Sequence, residues 1–323
     1  MTTIYHEGDA DRADLAGQRI AVVGYGNQGR CWALNLRDSG LDVTVCVRHD
    51  ETRRQAEADG FAARDLDAAS AADVVCLLVP DDAIPTVPLT PRPDALVVVA
   101  SGYTLAFDRL DPACDVGMVA PRMLGPEVRR CYEEGVGFIT AVGVHRDATG
   151  RARARTLAVA QAIGGLRQGA IEMTAHQEAV LDLAVEQALS PALRQVSQSF
   201  VGVMLEHGIP LEAVLTELML SGEVERNYRL LRTEGYAAQM EHHSPVSQYG
   251  QLSRVPTFEH LDVAGPMREV VDGIASGRFA DEWDAEVEAG CPRFTALKEA
   301  AVGPDVVAFE ADLRTRLGEG IAG

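Results

Sequence analysis

No Cys-x-x-Cys pair occurs among the six cysteines of the chain, Cys31, Cys46, Cys76, Cys114, Cys131 and Cys291. Most sit in apolar runs. That pattern argues against a zinc ribbon or a disulfide framework and reads as buried thiols in a reducing compartment. Basic charge is also short. Lys and Arg number 29 against 48 Asp and Glu, a formal net charge of −19. A surplus of that sign repels phosphate backbones and anionic lipid, so neither nucleic acid nor a membrane surface is expected as a partner. No apolar run is long enough to cross a bilayer. The opening Met-Thr-Thr-Ile-Tyr-His-Glu lacks the basic-then-apolar signature of a signal peptide. The expectation is a soluble, cytoplasmic protein. What is present has a normal globular balance, 47% hydrophobic and 24% charged, unlike a disordered or collagen-like chain. A length of 323 residues allows two domains.

Short β-branched runs alternate with helical stretches up to about residue 170. The runs are Arg19 to Val23, Asp42 to Val47, Asp73 to Val79 and Ala95 to Ala100. Nearly continuous apolar strands point to a parallel sheet covered on both faces, and strands alternating with helices make a doubly wound α/β fold. Val116 to Val119 and Phe138 to Val142 could extend the sheet, and the Ala/Arg-rich segment 151–163 reads as the last helix of this domain. Beyond Thr174 the apolar positions recur at helical spacing, with a break at Gly208 and Pro210. The expected organisation is an α/β Rossmann domain over 1–173 and an all-helical domain over 174–323.

Gly24-Tyr25-Gly26-Asn27-Gln28-Gly29 follows the first strand and opens a helix. A lone GxGxxG is weak, but this one has strand before, helix after and a second strand on time. Gly24 permits the tight turn, Gly26 lets backbone approach a pyrophosphate, and Gly29 lets helix and strand pack closely. The helix N-terminus offers N–H groups and a positive dipole end to phosphates. After the second strand comes Arg48-His-Asp50-Glu51-Thr-Arg53-Arg54. An acid there suits the ribose of NADH, and an arginine suits the 2′-phosphate of NADPH. Both types are present, so the choice stays open.

These residues, with further segments, resemble ketol-acid reductoisomerase. The resemblance runs through Gly24 to Gly40, Leu77 to Asp81, Val119 to Arg122, Arg129 to Gly135, Val144 to Gly150 and Ile163 to Gly165. It continues through Asp182 to Gln187, Gln248 to Gly250 and Ala289 to Phe294. It covers nearly the whole chain, in order, at the length of the short form of that family. It implies a nicotinamide-binding Rossmann domain and a knotted helical domain that forms a homodimer. It also implies Mg²⁺, an alkyl shift in a 2-acetolactate-type acid, and reduction of the resulting 2-keto acid by NADPH. Val79, Pro80 and Ser101 would lie on the cofactor.

Asp182 and Glu186 stand at i and i+4, which puts two carboxylates on one helix face. Hard oxygen ligands with retained waters suit Mg²⁺, and the two residues match the family's metal carboxylates. Departures follow. For the second carboxylate pair the best counterpart is Glu217, provided one residue has been inserted nearby. Its i+4 partner is then Ser221, with Glu223 and Glu225 at other angles. The family's histidine by the metal cluster and nicotinamide is Ser101, which is no base near neutral pH without activation. Its lysine is Arg122, which stays charged and can only clamp or stabilise an anion. Its substrate-binding serine aligns with Ser244, although Ser247 is an equal alternative. His145, His176, His207 and His260 have no metal-ligand spacing and read as structural or exposed, and Trp32 and Trp283 read as packing residues on helices. His242 or His243 could replace the lost ring donor.

The alkyl shift needs two metals and a base, whereas hydride transfer needs less. The first expectation is therefore an NAD(P)H-dependent, Mg²⁺-assisted reductase of a small carboxylate-bearing 2-keto acid or imine, its isomerase step lost or weakened. Arg122, Asp182, Glu186, Glu217 and Ser244 are its expected catalytic residues, and Asp182 and Glu186 its metal ligands. The alternatives are a genuine ketol-acid reductoisomerase and a non-catalytic nucleotide sensor.

Overall fold

The computed structural model describes residues 1–301 and 304–317. They divide after Leu183 into two compact units.

The first unit is a nine-stranded sheet with helices on its faces. In chain order its elements are β1 (Ile4–Tyr5), β2 (Arg19–Val23), α1 (Asn27–Asp38), β3 (Asp42–Cys46), α2 (Glu51–Ala58), β4 (Ala63–Arg64), β5 (Val74–Leu77) and β6 (Leu96–Val99). Then come α3 (Tyr103–Ala106), β7 (Asp115–Pro121), α4 (Gly125–Glu133), β8 (Thr140–Arg146), α5 (Ala152–Ala162), β9 (Ala170–Glu172) and α6 (Ala175–Ala184). Strand order is β1-β9-β8-β7-β6-β5-β2-β3-β4. Strands β2 to β7 pair in parallel, while β8 runs antiparallel to β7 and β1 antiparallel to β9. The four apolar runs hold β2, β3, β5 and β6; of the two further stretches, Val116 to Val119 falls within β7 and Phe138 to Val142 leads into β8.

Both faces of the sheet are packed, which is why these strands lack polar alternation. Ile20, Val22 and Val98 face Trp32, Leu36 and Ile163 on one side, and Val23, Val75, Val97 and Val99 join Leu105 and Met118 on the other. Each fully buried large side chain contributes about 1.5–3 kcal/mol against remaining exposed. Beneath the sheet, at the N-terminal ends of the strands, Arg155 and Asp115 form a buried pair at 3.3 Å. Asp115 also accepts from the backbone N–H groups of Ala148 and Thr149, and Arg155 donates to the carbonyls of Asp73 and Asp94. That end is fastened, and the opposite end carries the loops.

The second unit is helical throughout its described residues. Its helices are α7 (Ser190–Glu206), α8 (Leu211–Leu215), α9 (Glu223–Glu234), α10 (Tyr236–Met240), α11 (Pro245–Phe258), α12 (Ala264–Ala275), α13 (Arg278–Glu288), α14 (Pro292–Ala301) and α15 (Pro304–Leu317). Two five-residue π turns interrupt it, Val185–Leu189 before α7 and Thr216–Leu220 after α8. Pro210 caps α8, as its position after Gly208 predicts. The helical periodicity is right in kind, but it hides both π turns.

Candidate active site

Strand β2 lies between β3 and β5, so chain connections leave it in opposite directions across the sheet. Ligands of open α/β sheets bind at such a switch point, beyond the strand C-termini. The glycine loop sits there. Gly24 has φ +93°, and a Cβ on it would stand 2.7 Å from the Leu78 carbonyl oxygen and 2.8 Å from Val79 Cγ1. Val79 thus borders the loop, with the more exposed Pro80 following it. A Cβ on Gly29 would meet the Gly24 oxygen at 2.3 Å, whereas one on Gly26 would meet nothing within 4 Å. Gly26 and Asn27 are exposed, and no side chain caps α1. Its first N–H groups are open to a pyrophosphate. Tyr25 is buried and donates to Asp59 at 2.8 Å, which Arg30 also grips at 2.7 Å. Gln28 donates to the Met123 carbonyl at 3.2 Å and accepts from Trp32 at 3.2 Å. The phosphate loop is therefore tied to its surroundings by every side chain it has except Asn27.

At the loop after β3, Asp50 caps α2 by accepting from the Thr52 N–H at 3.0 Å. Arg48 stands 3.6 Å from its other oxygen and is 81% exposed. Arg53 is committed, with Asp65 at 2.7 Å and the Ala63 carbonyl at 3.2 Å. Arg48 could turn to a 2′-phosphate, with Asp50 competing for it, and so could the exposed Arg54, which stands 4.0 Å from Glu51.

A second set of groups gathers where β5, β6 and β7 end. Arg122 follows β7, its N–H donating to the Ile139 carbonyl at 3.0 Å. Its guanidinium forks across α6, Nη1 to Glu178 Oε1 at 2.6 Å and Nη2 to Asp182 Oδ1 at 2.9 Å. Glu178 is 2% exposed, and its other oxygen accepts the Gly102 N–H at 2.7 Å. Gly102 is obligatory, because a Cβ would stand 2.2 Å from the Ala175 carbonyl oxygen. Ser101, beside it, uses its hydroxyl to accept the Tyr103 N–H at 3.2 Å. Burial, with the nearby Asp182 charge, raises the pKa of Glu178 against the opposing pull of Gly102 and Arg122. Burial first, and then the charges of Glu178, Asp82 and Asp182, push Asp81 up to about 6.

Glu178 and Asp81 were not singled out from the sequence. Glu178 carried a usable signal, since it stands four residues before Asp182 as Glu186 stands four after. Asp81 ends the segment Leu77 to Asp81, but only the packing reveals its crowded carboxyl.

The remaining candidates lie in the second unit. Glu186 is in the first π turn, and the exposed Glu217 is in the second. Ser221 Oγ donates to the Glu217 backbone carbonyl at 3.3 Å and accepts the Glu223 N–H at 3.2 Å. Ser244 caps α11, accepting the Ser247 N–H at 3.3 Å. His243 pairs with Gln239 at 2.8 Å, and His242 with Glu234 at 2.8 Å. Among the described residues no group of three or more His, Cys, Asp and Glu is arranged to hold a metal. The donor chemistry nevertheless suits a hard divalent cation such as Mg²⁺. Asp182 is partly exposed and Arg122 takes one of its oxygens. The other is left for a hard cation that keeps most of its waters.

Residues 14–169 match the family model for the acetohydroxy acid isomeroreductase NADPH-binding domain, and residues 176–318 that for the ketol-acid reductoisomerase C-terminal domain. The chain belongs to the ketol-acid reductoisomerase family. It is 36% identical to the ketol-acid reductoisomerase (NADP(+)) of Caldivirga maquilingensis, covering 99% of this chain and 100% of that one. It is 36% identical to putative ketol-acid reductoisomerase 3 of Saccharolobus solfataricus, over 94% and 95%. Among solved structures, an NADH-preferring ketol-acid reductoisomerase from an uncultured archaeon superposes with a TM-score of 0.89 at 30% identity, over 97% and 98%. As a ketol-acid reductoisomerase family member, the chain is an NAD(P)H-dependent oxidoreductase with a Rossmann domain and a helical C-terminal domain.

Proposed function

We propose that this chain is a ketol-acid reductoisomerase that performs both half-reactions. It moves an alkyl group in a 2-acetolactate-type acid and then reduces the resulting 3-hydroxy-2-keto acid to the 2,3-dihydroxy acid. The observation that carries this reading is the Arg122 fork. The basic residue that replaces the family's lysine still reaches the metal carboxylate, at 2.9 Å from Asp182. The full-length relatives also bear that name. They favour this reading over the lost isomerase step that the substitutions suggest on their own.

In this reading the α1 N-terminus and Gly26 hold the cofactor pyrophosphate, with Val79, Pro80 and Ser101 along its nicotinamide half. Arg48 and Asp50 meet the adenosine ribose of NADPH or NADH. Arg122 steers the substrate's negative charge. Asp182 and Glu186 would hold Mg²⁺, which when bound supplies a Lewis acid for the substrate oxygens. Asp81, titrating near 6, can hold or release a proton near neutral pH. That gives the site a proton carrier where Ser101 is none. Glu217 and Ser244 would complete the site in a homodimer.

One observation favours a second reading, a reductase with a weakened alkyl shift. Ser101 Oγ accepts the Tyr103 N–H, and a serine hydroxyl is no base near neutral pH without activation. Two substrates separate the readings. Purified protein with Mg²⁺ and NADPH or NADH is given 2-acetolactate or the already rearranged 3-hydroxy-2-keto acid. Turnover of both at about 1 s⁻¹ or more supports the full reaction. Turnover of the rearranged acid alone sinks it in favour of the second reading.

A further inference from the structure

The glycine loop is a segment that needs holding. Gly24, Gly26 and Gly29 are three of its six residues, and glycine loses more freedom on ordering than any other residue. Gly26 and Asn27 are exposed, and a Cβ on Gly26 would meet nothing within 4 Å. The loop's buried side chain is Tyr25, whose hydroxyl donates to Asp59 Oδ2 at 2.8 Å. Asp59 gathers further partners. Arg30, in the first turn of α1, donates from Nε to Oδ2 at 2.7 Å and from Nη2 to Oδ1 at 3.2 Å. Gln55, one turn earlier on α2, donates to Oδ2 at 3.3 Å. The Asp59 backbone carbonyl accepts from Arg37 at 2.6 Å. The Arg37 guanidinium lies over the Phe61 ring, which meets the Tyr25 ring edge-on. One residue thus joins the glycine loop, α1 and the end of α2.

Asp59 stands where helix rules disfavour it. It is the C-cap of α2, at the negative end of the helix dipole, where a basic residue is favoured. A local rule broken beside a site marks a place where something else is gained. The hydrogen bond from Arg30 first, with those from Tyr25 and Gln55, outweighs burial and brings the Asp59 pKa down to about 2. It is a charged acceptor at every working pH. Burial first, and then the bond to Asp59, raise the pKa of the Tyr25 hydroxyl, which stays a donor. We infer that Asp59 is a positioning residue for the cofactor, which through Tyr25 and Arg30 fixes the glycine loop and the first turn of α1 in the pose that receives the pyrophosphate. This rests on the glycine loop holding NADPH or NADH, as proposed above.

The sign of the effect separates positioning from charge. Asp59→Asn removes a negative charge and releases Arg30, and on charge alone both changes favour a pyrophosphate nearby. Positioning demands weaker binding instead. Tyr25→Phe leaves both charges in place and removes only the tether. Binding of NADPH and of NADH to the full-length chain is followed by the fluorescence of the reduced nicotinamide. Each single variant should raise the dissociation constant about three- to tenfold, the range set by ordering one side chain. NADPH and NADH should lose by the same factor, because the pyrophosphate is common to both. The double variant should bind no more weakly than the weaker single one, since the two residues form one contact. With the rearranged 3-hydroxy-2-keto acid as substrate, the Asp59→Asn loss should appear in the cofactor's KM and not in kcat. Melting temperatures are recorded without cofactor. A lower melting temperature with unchanged affinity would make Asp59 a structural residue alone and overturn the inference. So would tighter binding by Asp59→Asn, a loss that differs between the two cofactors, or losses that add in the double variant. A folded wild-type chain that binds neither cofactor would overturn the glycine-loop reading as well.

Discussion

Asp81 shows how a single carboxyl can link the site to stability. Its pKa moves from an ordinary 3.8 to about 6, through burial first and then the charges of Glu178, Asp82 and Asp182. The folded chain therefore holds this proton more tightly than the unfolded chain does. Below about pH 4 both states carry it and there is no penalty. As pH rises through about 6 the folded chain must ionise a crowded carboxyl, and stability falls. A two-unit shift corresponds to about 3 kcal/mol at full development. Asp81→Asn removes that cost while keeping the shape. In chelator, the variant should unfold several degrees above wild type at pH 8 and with it at pH 4. A thermal-melt difference that is the same at both pH values would show that Asp81 does not carry the shift. The same residue illustrates what the sequence conceals. Asp182 and Arg122 could be named from motif and spacing. Glu178 reads as a solvent-facing acid at a helix start until the Gly102 loop is seen to cover it.

At the scale of elements, both candidate metal acids of the second unit sit second in a π turn. Glu186 follows Val185 in one and Glu217 follows Thr216 in the other. Each turn closes with an i to i+5 bond, Ser190 N–H to the Val185 carbonyl and Ser221 N–H to the Thr216 carbonyl. Such turns are rare and cluster at functional sites. They hold one more residue than an α turn, which is what the alignment of Glu217 demands when it requires an insertion. Removing Met219, which is 63% exposed, should restore α geometry with little loss of packing. The helix after it would turn by about 100° relative to Glu217. Turnover should then fall about 100-fold, as when a catalytic group is misplaced by an ångström, while circular dichroism keeps its helix signal. Full activity in the deletion variant would remove Glu217 from the site. Neither π turn can be read from hydrophobic periodicity, because one extra residue barely disturbs it. The Rossmann strands could be read because burial on both faces makes them continuous apolar runs. The short edges β1, β4 and β9 could not, since two or three residues make no pattern.

At the scale of the molecule, two opposing features bear on assembly. The chain carries −19 charges, yet α7 buries none of its residues and exposes Leu193, Val196, Phe200 and Val203 by 43–58%. Val196, Phe200 and Val203 line a groove of about 940 Å³ in the second unit, together with Pro191, Phe258 and Leu261. A contiguous apolar surface of that kind marks an interaction site, and the proposed homodimer would cover it. Burial drives such an association, while two like-charged chains repel over a distance set by salt. The proposed dimer should therefore tighten as ionic strength rises, opposite to an interface held by ion pairs. Light scattering behind size exclusion should give twice the 34.6 kDa chain mass for wild type at micromolar concentration. Phe200→Asp should return the single-chain mass, because it would bury an unpaired charge in the groove. Its NADPH binding should survive, since the glycine loop belongs to the first unit. Its turnover should not, if Glu217 acts across the interface. A wild-type monomer that is active at nanomolar concentration would rule out both the dimer and that sharing of the site.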